Sequence, residues 1–75
     1  MSDVLKYAVI FERSPDGYGA YVPDLPGCVT VGDTLEETER NIREAIAGHL
    51  EVMREFGDPI PEPTTIAENI EIPAA

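Results

Sequence analysis

The chain of 75 residues carries 15 acidic and five basic side chains, which gives it a net charge of −10. This length predicts a single domain over residues 1–75, with its core within about residues 4–72, and a domain this small is marginally stable alone, so we expect it to form a homo-oligomer or to bind a partner. The scarcity of cations argues against naked nucleic acid as a partner, and the apolar runs are too short to cross a membrane.

The first part of the chain has the pattern of a β-hairpin. Residues 4–12 alternate an apolar face with a second face that Ala8 and Ile10 make partly apolar, which predicts a strand with cover on both sides. Ser14-Pro15-Asp16-Gly17 is a typical turn sequence, and residues 18–22 predict the returning strand. The second face of the hairpin is therefore where we expect another chain to dock.

A proline segment, Pro23-Asp24-Leu25-Pro26-Gly27, interrupts the sheet after the hairpin. Proline fixes φ and has no backbone N–H to donate, so a central strand cannot continue through it. Gly27 allows a positive φ if the turn requires one. Residues 28–31 then predict a short third strand, which Gly32-Asp33 ends.

The clearest helix pattern follows the third strand. Thr34 is a candidate N-cap, with Glu37 three residues later to complete a capping box, and Asp33 is the rival cap. The helix is predicted over residues 35–56, with Gly57 as its stop. Its apolar stripe has helical spacing and consists of Leu35, Ile42, Ala45, Ile46, His49, Leu50, Met53 and Phe56.

The last part of the chain predicts an extended arm and a fourth strand. Pro59, Pro61 and Pro63 stiffen the arm and suit a tether that returns the chain to the sheet. Ile70 and Ile72 share one face at period two, which predicts a strand over residues 68–72. The order strand, strand, strand, helix, strand predicts an α+β domain: an antiparallel sheet with one long helix on one face.

Few side chains in this sequence are suited to catalysis. His49 lies on the apolar stripe without a serine partner and is more typical of a boundary histidine, and Cys28 is more typical of a core thiol than of a redox group. A metal-dependent nuclease would need Glu12, Asp24 and Glu71 to converge, which is the weaker hypothesis. We therefore expect no catalytic residue, no metal site and no cofactor.

The predicted location is the cytoplasm. Met1-Ser2-Asp3 lacks the basic start and apolar core of a signal peptide, and a single cysteine suits a reducing compartment. The excess of negative charge has two interpretations that the composition leaves open. It could serve solubility alone, or it could attract a basic partner protein.

Several motifs, taken in register, resemble the HicB-like antitoxin family over residues 4–72. They are Asp24-Leu25-Pro26-Gly27-Cys28, Gly32-Asp33-Thr34-Leu35-Glu36-Glu37, and Gly57-Asp58-Pro59-Ile60-Pro61-Glu62-Pro63. The resemblance implies a partial ribonuclease-H-like fold with the element order given above, and a non-enzymatic role. It implies as partner a small basic toxin (HicA-like) of double-stranded-RNA-binding fold, whose mRNA-cleaving histidine the antitoxin covers.

The expected contact residues are acidic or aromatic apart from one leucine, and they lie near the end of the hairpin, with one at the start of the helix: Tyr18, Tyr21, Asp24, Leu25 and Glu36. The tyrosines fit a core role equally well. Many family members carry a carboxy-terminal DNA-binding segment, and because this chain stops soon after Ile72, we expect no operator binding. Two alternatives remain open, namely an orphan, self-associating structural or regulatory domain and a residual metal-dependent nuclease.

Overall fold

Three short antiparallel strands precede one long helix among residues 4–74, which are the residues that the computed structural model describes. The strands are β1 (Ile10–Ser14), β2 (Gly17–Tyr21) and β3 (Val29–Gly32), and the helix is α1 (Leu35–Glu55). The strands lie side by side in chain order. The predicted α+β class, with one helix on one face of an antiparallel sheet, is confirmed. The prediction made from Met1-Ser2-Asp3 lies outside the described residues.

The β1–β2 hairpin is shorter at its open end than the alternating pattern predicts. Its register pairs Ser14 with Gly17 at the turn and Ile10 with Tyr21 at the other end. Continuing that register would place Ala8 opposite Pro23, which has no N–H to donate and begins a turn. Residues 4–9 therefore run as coil without a ladder, and the predicted strand over residues 4–12 is corrected to Ile10–Ser14.

The core lies between one face of the sheet and α1. Its buried apolar members come from β2, from the proline segment with the residue on either side of it, and from the helix: Ala20, Val22, Leu25, Cys28, Ile42 and Leu50. Half-buried side chains complete it: Tyr7, Val9, Phe11, Ala45, Ile46, Met53 and Ile60. The predicted helix stripe is correct in its middle, but Leu35 and Phe56 at its two ends are exposed, because the sheet is too short to cover them. Within residues 4–74, no helix combines the length and hydrophobicity of a membrane span.

Thr34, rather than Asp33, caps the start of α1. Its Oγ1 accepts a hydrogen bond of 3.1 Å from the N–H of Glu37, whose carboxylate in turn accepts one from the N–H of Asp33. Thr38 is fully buried one turn into the helix, and its hydroxyl donates to the Thr34 carbonyl at 2.7 Å. This small polar side chain lets the first turn of the helix approach Gly32 of β3 closely.

The helix ends at the predicted glycine. Gly57 has a φ of 72° and donates to the Arg54 carbonyl, while Asp58 donates to the Met53 carbonyl, as in a Schellman motif. Beyond it, the proline arm (residues 58–65) and the tail (residues 66–74) form no helix or strand. The predicted fourth strand over residues 68–72 is therefore wrong for the single chain, because no strand lies beside it to supply ladder hydrogen bonds.

Candidate partner-binding site

The proline segment folds into a closed loop that joins the hairpin to the rest of the molecule. The N–H of Leu25 donates to the Val22 carbonyl and the N–H of Cys28 donates to the Leu25 carbonyl, both at 3.0 Å. The N–H of Val22 donates back to the Cys28 carbonyl at 3.2 Å. Gly27 has a φ of 84°, as its sequence position allowed. Leu25 within this loop and Val22 and Cys28 at its two ends are buried in the core, so the loop packs directly against it.

Asp24, at the outside of this loop, holds the proline arm in place. Its carboxylate accepts hydrogen bonds from the N–H groups of Thr64 and Thr65 at 2.9 and 3.0 Å, and from their hydroxyls at 3.2 and 2.7 Å. These bonds, those from Thr65 above all, hold the pKa of the Asp24 carboxyl below its usual value, since they favour the charged form. The main role that the structure assigns to Asp24 is therefore to clamp the arm.

A second contact holds the arm nearer the helix. The hydroxyl of Tyr7 donates to the Pro61 carbonyl, and Ile60 packs against the core beside it. Burial raises the pKa of the Tyr7 hydroxyl, which stays neutral and able to donate. The arm therefore follows a defined path from the end of α1 to Asp24.

The sheet face that points away from α1 carries an exposed apolar patch. The register places Ile10, Tyr21 and Val29 side by side across the three strands, with Val31 two residues further along β3. Tyr21, Val29 and Val31 are 40%, 64% and 73% exposed, respectively. We call these four residues the outer sheet face. Exposed β-branched and aromatic side chains on a sheet are typical of a surface that another protein covers.

A groove at the turn end of the hairpin adjoins the outer sheet face. It has a volume of about 500 Å³. Three acidic residues, Glu12, Asp16 and Asp33, and one basic residue, Arg13, line it, so its lining carries a net negative charge. The apolar patch is therefore bordered by negative charge at this end.

The five residues predicted as a contact set lie in different places. Tyr21 belongs to the outer sheet face, whereas Tyr18 is half-buried and shares the helix-facing side with Ala20, because the two tyrosines are three positions apart and odd spacing in a strand places them on opposite faces. Glu36 is exposed in the first turn of α1. Asp24 is occupied by the arm. The expectation for Leu25 is corrected, since its side chain is 0% exposed and has no surface to offer a partner.

The side chains considered for catalysis lie in surroundings that suit a structural role. Cys28 is buried, and burial raises the pKa of its thiol, which disfavours the reactive thiolate. His49 is half-buried on α1, as a boundary histidine would be. Glu12 lies on β1, whereas Asp24 is clamped and Glu71 is in the exposed tail. Residues 4–74 contain no group of three His, Cys, Asp or Glu side chains placed to hold a metal ion.

The fold places the chain among the small α+β domains with three antiparallel strands and one long helix. The family model of the HicB-like antitoxins of bacterial toxin-antitoxin systems matches residues 7–74. The chain therefore belongs to the HicB-like antitoxin family, and the resemblance found in its motifs is confirmed. A chain of the solved HicA3 and HicB3 toxin-antitoxin complex is similar to it with a TM-score of 0.69 and 32% identity, covering 80% of this chain and 70% of that one.

Relatives of this chain differ in length. Antitoxin HicB 2 of Photorhabdus laumondii is 34% identical over all of this chain, which covers 55% of that protein. An uncharacterized 14.9 kDa protein of Haemophilus phage HP1 is 42% identical over 89% of this chain, which spans 50% of that protein. A UPF0150 protein of Thermoplasma acidophilum is 43% identical, and the match covers 76% of this chain and 84% of that one. The chain thus spans about half of the first two relatives and most of the third.

Sequence reasoning missed two parts of these surfaces. The sequence pattern predicts only a strand for Val29 and Val31. Val29 pairs with Tyr21, and Val31 lies two residues further along β3, so both side chains are on the same side of the sheet as Tyr21. The clamp of Thr64 and Thr65 on Asp24 joins residues some 40 positions apart. A pair of threonines after a proline arm is a weak hint of such a contact, and nothing in the sequence identifies the carboxylate that they bind.

Proposed function

We propose that this chain is a non-enzymatic antitoxin that binds a small basic toxin of HicA type and neutralises it by covering its active site. The observation that carries the proposal is family membership together with the similarity to a chain of the HicA3 and HicB3 complex. The outer sheet face and the acidic groove beside it are the surface that suits such a partner. This proposal replaces the predicted contact set by Tyr21, Val29 and Val31, with Glu12 and Asp16 at the border.

Charge complementarity supports this choice of partner. A net charge of −10 on a chain of 75 residues attracts a basic protein over a distance of about a Debye length and raises the rate of association. A toxin that binds RNA needs a positively charged surface, because its substrate is a polyanion. The carboxylates that border the outer sheet face can pair with the toxin's cations in place of the RNA phosphates, while the valines exclude water from the contact.

The outer sheet face is too small to form a stable interface with the toxin by itself. Three strands about 4.8 Å apart and about 17 Å long give a flat area of roughly 240 Å², under a third of the roughly 800 Å² that each partner buries in a standard interface. The toxin must therefore also contact the acidic groove at the turn end of the hairpin. Covering an active site requires such an extended contact, because the antitoxin has to span the toxin's substrate groove.

The test is co-expression with the small basic protein encoded beside this chain's gene, followed by affinity measurement on the purified pair. Val31→Lys places a cation in the proposed contact and should weaken binding by at least about 100-fold, about 2.7 kcal/mol. The matched control is Val52→Lys, the same change at an exposed helix position away from the outer sheet face. Equal effects of the two variants would overturn the proposed surface.

Two further outcomes separate the alternatives. If no small basic protein is encoded nearby and nothing co-purifies, the antitoxin role loses its support and the orphan, self-associating domain takes its place. The non-enzymatic part is tested by nuclease assays with magnesium or manganese. Activity in the purified chain that disappears in Glu12→Gln and Asp24→Asn would contradict it, whereas activity that survives both changes indicates a contaminant.

A further inference from the structure

The outer edge of β1 is open in the single chain. β1 pairs with β2 on one side only, and the described residues place no strand on its other side. An edge strand presents a row of unpaired N–H and C=O groups, which readily pair with a further strand. Residues 4–9, which precede β1, are also without a ladder.

An apolar groove runs along this edge, between β1 and α1. Its volume is about 710 Å³. Its larger apolar side chains are two from the segment leading into β1, one from β1 itself and three from the helix: Leu5, Val9, Phe11, Ile42, Ile46 and Leu50. Three of the five basic residues of the chain, Lys6, Arg43 and Arg54, also line the groove, together with two acidic residues, Glu39 and Glu51. We call this feature the edge groove.

The tail has the chemistry to fill the edge groove. Ile66, Ile70 and Ile72 are 83%, 71% and 75% exposed, although isoleucine is normally a core residue. All three have even numbers, so they share one face of an extended chain, together with Glu68. A strand with this face would present three isoleucines to the apolar lining and one carboxylate to a groove whose lining carries three cations and two carboxylates. Within the tail, Glu68 and Glu71 are the charged side chains and neither is basic.

The tail of the chain does not fill its own edge groove. None of residues 66–74 lines the groove, and the three isoleucines of the tail are exposed. The hydroxyl of Tyr7 donates to the Pro61 carbonyl and Asp24 accepts from Thr64 and Thr65, so the arm is held in place up to the residue before the tail. The molecule measures 51 × 26 × 23 Å, and its radius of gyration of 14.4 Å exceeds the value of about 11 Å for a compact chain of this length. The chain is therefore more extended than a compact domain of the same length.

We propose that the tail of one chain adds as a fourth strand to the free edge of β1 in a second copy and places its isoleucines in that copy's edge groove. The exchange is reciprocal in a two-fold dimer, because both copies carry the same groove and the same tail. The fourth strand that the alternation of Ile70 and Ile72 predicts then forms between chains rather than within one. The outer sheet face takes no part in this contact.

The test is the oligomeric state of the full chain measured by size-exclusion chromatography with light scattering. The expected mass is twice that of the 8.2 kDa chain. Ile70→Asp combined with Ile72→Asp should raise the dimer dissociation constant by at least about 100-fold, because two apolar side chains are replaced by charges at a buried position. Asn69→Asp is the control, since it adds one negative charge on the other face of the tail and should leave the dimer intact.

The location of the tail is tested by NMR on a dimer that mixes isotope-labelled and unlabelled copies. Intermolecular contacts between the methyl groups of Ile70 and the rings or methyls of Phe11 and Ile46 are expected. Ala47→Arg, at an exposed position that lines the edge groove, should block the dimer without disturbing the core.

Three results would overturn the proposal. They are a monomeric chain, a dimer that survives both tail substitutions, and contacts of Ile70 that are only intramolecular. None of these depends on the toxin. A monomeric chain that still binds the small basic protein would leave the proposed antitoxin role in place, and a tail-exchanged dimer that binds no toxin would leave this inference in place.

Discussion

Gly32→Ala is expected to destabilise the fold because α1 begins almost in contact with β3. A Cβ at position 32 would lie 2.5 Å from Oγ1 of Thr38, 2.9 Å from its backbone N and 3.1 Å from its Cα. Rotating the Thr38 hydroxyl would relieve only the first contact, and it would break the hydrogen bond to the Thr34 carbonyl. The other two contacts involve backbone atoms of the first helical turn. The helix must therefore move away from the sheet.

The magnitude of the Gly32→Ala effect follows from three contributions. Forcing an extra carbon into a packed contact costs about 1–3 kcal/mol. Losing the Thr38 hydrogen bond costs about 1 kcal/mol, and the lower entropy of the unfolded alanine chain returns about 0.4–1 kcal/mol. The expected net loss in the free energy of unfolding is about 2 kcal/mol, which corresponds to a melting temperature lower by about 8–16 °C in a domain of this size.

Urea denaturation followed by far-ultraviolet circular dichroism measures this difference. Gly48→Ala is the matched control, since a Cβ there would meet no atom within 4 Å and position 48 lies inside α1. That variant should gain about 0.5–1 kcal/mol, because glycine is a poor helix former. The reasoning is refuted if Gly32→Ala also stabilises the protein, or lowers its stability by less than about 0.5 kcal/mol.

The cap of α1, the clamp on the arm and the buried thiol can each be tested by one experiment. Thr34→Ala should lower the free energy of unfolding by about 1 kcal/mol in the same assay, because it removes the cap of α1, and Thr34→Ser should preserve it. Asp24→Asn should release the proline arm at neutral pH, seen by NMR as a loss of the dispersed Thr65 amide signal. Because the folded pKa of Asp24 is lowered, its contribution to stability is present above the usual value of 3.8 and is lost as the pH falls through the lower folded value, so the native Thr65 signal should change only below that pH. Cys28 should resist alkylation until denaturant unfolds the chain, and labelling in the native state at the rate of a free thiol would contradict its place in the core.

The predictions that succeeded from sequence rest on local chemistry. The turn at Pro15 and Asp16, the cap at Thr34 and the helix stop at Gly57 each depend on residues within a few positions of one another. Their backbone preferences determine the structure almost irrespective of the rest of the chain. The middle of the helix stripe is also correct, because its periodicity reflects a single continuous face.

The predictions that failed depend on residues far apart in sequence. The start of β1 depends on Pro23, which lies opposite the segment that alternates, and the fourth strand requires an edge that its own chain does not bring beside it. Leu25 is expected at a contact surface from its position near the end of the hairpin, but the turn that contains it folds over the core. Thr38 carried no sequence signal at all, since a buried threonine is indistinguishable from a solvated one until its packing against Gly32 is known.

The two proposed surfaces predict the composition of the toxin complex. The edge groove and the outer sheet face are distinct parts of the sheet, so a tail-exchanged dimer leaves both outer sheet faces free. The added strand would also turn Ala67, Asn69 and Glu71 toward the outer side, which widens each face by about 4.8 Å and adds a carboxylate to it. Native mass spectrometry should therefore detect two toxins bound to two antitoxin chains. A complex of one toxin with one antitoxin chain would mean instead that toxin and tail compete for the same edge of β1.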